Sequence, residues 1–204
     1  MKLYYSPGAC SLADHIALLE AGLEPSLVKV DLKAKTIEGG SSYLEVNPKG
    51  YVPALGFDDG AVLTENIAIL TWIAGRGGAL AGPSGEADDL GTARLLEALA
   101  YISTEVHKSF KPFFSPGSTD ADKKAAGESI GKRLAFLDER MGGGFVLGGS
   151  YSVADAYLYV MLRWAKANKL ALPGKLGDYF ERMSARPAVQ QALKDEGLEA
   201  AKAA

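Results

Sequence analysis

The chain changes character once, in a stretch too poor in large apolar side chains to build a core. Residues 75 to 87, GRGGALAGPSGEA, are dominated by Gly, Ala, Pro and Ser, a composition that breaks regular structure and joins units. Before this stretch, short alternating apolar runs trade places with helical stripes. After it, the periodicity is helical almost throughout. The pattern predicts a mixed α/β unit over residues 1–78, a linker over 79–87 and an all-helical unit over 88–204. The length of 204 residues is ample for two small units.

The first unit reads as strand, helix, strand, loop, hairpin, helix. KLYY is a strand ended by SPG, and Leu12, Ile16 and Leu19 form a helical stripe closed by Gly22. SLVKV at 26–30 alternates like a strand. The polar run that follows has room for one helical turn near Tyr43. VPALGF and AVLT flank DDG, a hairpin signal, and ENIAILTWIA is helical again. Such an order suits a small sheet covered by helices, with the first strand–helix–strand unit parallel and the closing hairpin antiparallel. Val52-Pro53 stands at the entry to the hairpin. Only about 5–6% of such bonds are cis, so the residues alone leave the isomer open.

In the second unit Leu95, Leu99, Ile102 and Val106 form one stripe. An amphipathic helix is expected over Asp122–Arg140, then a loop at GGGFVLGGS. SVAD, Ser152 to Asp155, has the spacing of a capping box, opening a helix apolar enough to be central. Two shorter helices divided at Pro187 close the chain.

The formal net charge of −3 leaves no electrostatic footprint for nucleic acid or for an anionic membrane surface. No apolar run approaches the roughly 18 residues of a membrane span, and the first residues lack a signal-peptide core. A single cysteine cannot form an internal disulfide. The cytoplasm is the expected compartment.

That cysteine, Cys10, falls in the first turn of a helix directly after a strand. Orphan N–H groups and the helix dipole favour an anion there, so a lowered thiol pKa is expected. There is no Cys-x-x-Cys pair, and thiol chemistry needs a thiol from outside. His15 lies on the apolar side of the same helix and reads as structural. His107 lies roughly 100° from the stripe of its helix, on a flank shared with Ala100, Ser103 and Thr104, where a polar contact or proton carrier fits. Glu65-Asn66 opens a helix after the hairpin, where a carboxylate ligand is favoured and Glu65 can take an ammonium group.

The segments MKLYYSPGACSLADHIAL, VDLKAK, YLEVNPKGYVPAL, VLTENIAIL, ISTEVHK, YSVADAYLYVMLRWA and RMSARPAVQQALKDEGL occur in one order on both sides of the linker. Together they resemble the bacterial beta-class cytosolic glutathione transferases nearly end to end. The resemblance implies a thioredoxin-like N-terminal domain, an all-helical C-terminal domain, a homodimer, and a cis Val52-Pro53 bond beside which glutathione docks like an added strand. It implies glutathione as co-substrate and no metal. Cys10 then meets the glutathione sulfur, with Ala9 beside it. Lys35 holds a carboxylate, Val52 and Pro53 offer the backbone edge, and Glu65 and Asn66 hold the γ-glutamyl end. Thr104 and His107 come from the helical domain, with His107 assisting the chemistry beside Cys10. Trp164, Phe110 and Phe113 border the acceptor pocket.

Two positions depart from the family pattern. Ala100 stands where the family often has an asparagine contributed across the dimer, and Asn66 where it often has Ser or Gly. The implied activity is conjugation of the glutathione thiolate to small hydrophobic electrophiles, a detoxification. The alternatives are thiol transfer through a Cys10 mixed disulfide, and a non-catalytic binding protein on the same scaffold.

Overall fold

The computed structural model describes residues 1–77 and 89–198; the linker expected over 79–87 lies outside the described residues. The first unit is a five-stranded sheet in the order β3-β2-β1-β4-β5. Its strands are β1 (Lys2–Tyr5), β2 (Ser26–Asp31), β3 (Thr36–Ile37), β4 (Ala54–Gly56) and β5 (Val62–Thr64). β1 is central. It runs parallel to β2, with Leu3 opposite Leu27, and antiparallel to β4, with Leu3 opposite Leu55. The hairpin β4–β5 is antiparallel, as DDG predicts. The two-residue β3 is too short to leave a periodicity in the sequence. The helical turn expected near Tyr43 is a 3₁₀ turn over Tyr43–Glu45.

Helix α1 (Ser11–Glu20) and helix α2 (Asn66–Ala74) cover one face of this sheet. Most of α1 is buried, from Ser11 through Leu18, because it is sandwiched between the sheet and the helical unit. That explains its weak amphipathicity: a helix with partners on both sides needs no polar face. Leu12, Ile16 and Leu18 are each fully buried, worth about 1.5–3 kcal/mol apiece.

The helical unit comprises α3 (Asp89–Tyr101), which runs into a π-helical segment at Ile102–His107, then the short α4 (Lys111–Phe114), α5 (Asp120–Arg140), α6 (Val153–Ala167), α7 (Lys175–Ser184) and α8 (Pro187–Asp195). The stripe Leu95, Leu99, Ile102, Val106 is buried throughout. It joins Leu3, Leu12, Ile16, Ile69 and most of α6 in one apolar cluster, so the two units share a core. A small second cluster of Val30, Tyr43, Val52 and Ala54 packs the other face of the sheet.

Helix α6 is central, as expected, and its capping box is present. The Asp155 carboxylate accepts from the Ser152 N–H at 2.8 Å and from the Ser152 hydroxyl at 3.0 Å. Helix α5 has its own box, Thr119 with Asp122, which starts it two residues earlier than its apolar pattern suggests.

Candidate active site

The chain leaves β1 through Ser6-Pro7-Gly8, with Gly8 at φ +70°, a conformation glycine adopts without steric cost. The Ala9 N–H returns to the Ser6 carbonyl at 3.0 Å, and Cys10 becomes the N-cap of α1 with no side-chain bond to the helix it starts. Its Sγ instead donates to the Val52 carbonyl at 3.4 Å, beside the cis Val52-Pro53 bond. The thiol is pushed up to about 12, opposite to the lowering that its place at a helix start predicts. Burial is the main cause, with the Asp14 charge one turn further on as the next; the N–H groups of Cys10 and Ser11 pull the other way and lose. Near neutral pH Cys10 is therefore a protonated hydrogen-bond donor.

Asp14 explains much of this. It is fully buried, burial holds its carboxyl well above the usual carboxylate range, and its Oδ1 has no partner among the described residues. Its Oδ2 accepts from Asn66 Nδ2 at 2.8 Å, and the same amide donates to the Cys10 carbonyl at 3.0 Å. Asn66 lines the cleft, as its expected role requires, and its amide N–H groups also tie the start of α2 to the start of α1.

Glu65 precedes it as the N-cap of α2, at φ 79° and again with no side-chain cap. A non-glycine residue held there costs of order 1–3 kcal/mol, strain that tends to sit at functional positions. Its carboxylate accepts from the Tyr51 hydroxyl at 2.7 Å and from Lys49 Nζ, and Lys49 lowers its pKa. Lys35 Nζ donates to the Gly50 carbonyl at 2.6 Å.

Opposite lies the helical unit. Ser103 and His107 on the π-helical segment, with Tyr157 from α6, line the same cleft as Cys10, Val52, Pro53 and Glu65. π-Helical turns recur at functional sites. His107 Nδ1 pairs with the Tyr157 hydroxyl at 2.7 Å. Burial, and next the Lys108 charge, push His107 down to about 4, so the ring is neutral at pH 7. Burial likewise raises Tyr157, which keeps its proton and donates to Nδ1, placing the imidazole proton on Nε2.

Thr104 is exposed, and its hydroxyl is returned to the Ala100 carbonyl at 2.9 Å; Ser103 faces the cleft in its stead. Phe110 is fully buried and packs edge-on against Trp164, ring centres 5.5 Å apart. It is core, and the expectation that it borders the pocket is corrected. Phe113 is half-buried against it. Phe114, 57% exposed, lines the cleft with Ile67 and Leu96.

Trp164 has a different task. Its indole N–H donates to the Gly8 carbonyl at 2.8 Å. The Gly8 N–H donates to Glu196 Oε2 at 2.9 Å, and the other oxygen of this buried carboxylate meets His15 Nδ1 at 3.1 Å. Both backbone polar groups of Gly8 are thus gripped by the helical unit, and His15 is structural, as expected. Tyr157, Tyr51 and Glu196 were not identifiable as site residues by any local motif; Glu196 in particular reads as one more charge in a polar C-terminal segment.

The cleft has a volume of about 940 Å³. A smaller cavity of about 650 Å³ lies in the helical unit beside Tyr101, Phe136 and Leu147. It shares no lining residue with the cleft.

A small mixed sheet that presents a cysteine beside a cis-proline, roofed by a helical domain, defines the two-domain architecture built on a thioredoxin-like unit. Residues 9–76 match the family model for the glutathione S-transferase N-terminal domain, and residues 101–187 that for the C-terminal domain. The glutathione S-transferase GstA of Escherichia coli O157:H7 is 43% identical over 97% of this chain and 100% of its own. A bacterial beta-class glutathione S-transferase of Sphingomonas chungbukensis superposes with a TM-score of 0.89 at 45% identity, covering 98% of this chain and 100% of its own. A sphingomonad glutathione S-transferase complexed with glutathione does so with a TM-score of 0.88 at 47% identity and the same coverage. The chain belongs to the glutathione S-transferase family.

Proposed function

We propose that this protein conjugates the thiolate of reduced glutathione to small electrophiles, and that it does so as a homodimer in the cytoplasm. The observation that carries the reading is the cleft itself. Two helix starts without side-chain caps, those of α1 and α2, meet there beside Cys10 and the Val52 backbone. Unsatisfied N–H groups and the helix dipole favour an anionic ligand at such points. Glutathione supplies the matching chemistry, with two carboxylates, an ammonium group and a thiol. Among the described residues no helix is long and apolar enough to cross a membrane.

In this reading the peptide lies along Val52 as an added strand. Lys35 meets its glycyl carboxylate, and the N–H groups at the start of α2 meet its γ-glutamyl carboxylate while Glu65 takes the ammonium. The sulfur comes to Cys10. A protonated Cys10 donates its S–H to the glutathione thiolate, and hydrogen bonds to the charged form lower its pKa. His107, neutral and with a proton on Nε2, offers a second donor from the opposite wall. The high pKa of Cys10 favours this donor role over thiol transfer, in which the same sulfur would have to attack as a thiolate.

The test is a conjugation assay with glutathione and 1-chloro-2,4-dinitrobenzene. Turnover above the uncatalysed rate is expected. Folded protein that is retained on a glutathione column yet gives no turnover would remove the reading.

A further inference from the structure

Resting on that reading, we infer that the preferred acceptor is an apolar electrophile bearing a carboxylate, and that Lys108 and Lys111 recognise it. The wall of the cleft facing Cys10 carries both lysines together with Phe114 and Leu96. Both lysines are exposed, and no carboxylate pairs with either among the described residues. The carboxylate of Glu65 across the cleft is engaged by Lys49 and Tyr51. His107, next to Lys108, is neutral. Among the described residues, the helical wall therefore offers two positive charges with no carboxylate partner beside an apolar surface of aromatic and aliphatic side chains.

A purely apolar acceptor would leave these charges unused. A free carboxylate without an apolar body would leave Phe114 and Leu96 unused. An activated aromatic or alkenyl carboxylate satisfies both, and a cleft carrying one sign of charge also raises the local concentration of the opposite sign. The reaction is unchanged in kind. The thiolate forms a carbon–sulfur bond at the ring carbon that carries chlorine, the carbon–chlorine bond breaks, chloride leaves with its electron pair, and the thiol proton goes to solvent.

Two acceptors of like shape separate the possibilities: 1-chloro-2,4-dinitrobenzene, which is neutral, and 4-chloro-3,5-dinitrobenzoate, which carries a carboxylate. Each kcat/KM is divided by the uncatalysed rate constant of the same acceptor with glutathione, and the ratio of anionic to neutral is taken. The parent ratio should exceed one and shrink as salt rises, since exposed charges are screened. Lys108→Gln and Lys111→Gln should each lower it, roughly two- to fivefold as for exposed ion pairs, and the double variant further. A parent ratio of one or less would overturn the inference. So would a ratio that the double variant leaves unchanged because both acceptors slow equally, which would mean that the lysines serve the glutathione sulfur. Absence of turnover with both acceptors would instead overturn the transferase reading on which the inference rests.

Discussion

Helix α1 and helix α6 start in opposite ways. At α6, Ser152 and Asp155 close the helix start with the chain's own groups. The Asp155 carboxylate accepts from Ser152, from the Val146 N–H at 2.8 Å and from the Tyr179 hydroxyl at 3.0 Å. At α1, Cys10 provides no cap, and the buried carboxyl one turn on, Asp14, keeps an unpartnered oxygen. Helices α5 and α2 repeat the contrast, the first boxed by Thr119 and Asp122, the second opened by an uncapped, strained Glu65. Of these four starts, the two boxed ones lie in the scaffold, and the two without side-chain caps face the cleft. A helix start left open is stability withheld so that a ligand can supply it.

The contrast can be broken most forcefully at α6. Asp155→Ala removes the box and leaves the buried Ser152 N–H and the half-buried Val146 N–H without their acceptor, while the Tyr179 hydroxyl keeps the residue 155 carbonyl. It should cost about 3 kcal/mol, a cap plus an unpaired buried group, read as a lower midpoint in urea unfolding. At α1 the corresponding measurement is chemical. With its thiol near 12 instead of the ordinary 9, ligand-free Cys10 should be alkylated by iodoacetamide at pH 8 at least about thirtyfold more slowly than a free cysteine, allowing for the greater nucleophilicity of a more basic thiolate. Its rate should still be climbing at pH 10, and a plateau below pH 9, followed by intact mass, would contradict the donor role.

Trp164→Phe keeps the ring packed on His107 and Phe114 but drops the indole bond to Gly8; a loss of roughly 1 kcal/mol with a raised KM for glutathione is expected. Smallest of all, Asp14→Asn removes a charge that raises Cys10, so the alkylation profile should move toward lower pH. The same change bears on stability. A carboxyl whose folded pKa lies above its unfolded value destabilises the fold increasingly as pH rises through that window. The Asn variant should therefore gain on the parent as pH rises above the ordinary carboxylate range in paired urea titrations.

The parts legible in the sequence are those set by local rules. The β4–β5 hairpin followed from DDG between alternating runs, the α6 box from the spacing of Ser152 and Asp155, and the buried stripe of α3 from its period. The pKa of Cys10 departs from the lowering expected at a helix start because that local rule competes with a tertiary fact, the burial of the thiol above Asp14. Thr104 and Ser103 differ by one position in sequence; which of them faces the cleft depends on the π-helical segment, whose extra width no apolar period announces. Phe110 and Phe114 are chemically alike, and only packing against Trp164 divides core from cleft wall. Glu196 was invisible for a plainer reason: it acts on a residue at the other end of the chain.

The hold on Gly8 carries a consequence for the order of assembly. The two partners that fix this glycine are Trp164 and Glu196, the latter 188 positions downstream. A ribosome delivers Gly8 ahead of Trp164 by 156 residues and ahead of Glu196 by 188. During synthesis the thioredoxin-like unit can form its sheet early, yet the hinge before its thiol gains both tethers only once α8 and Glu196 emerge. The young chain thus carries its cysteine on an untethered turn until both Trp164 and Glu196 have been made.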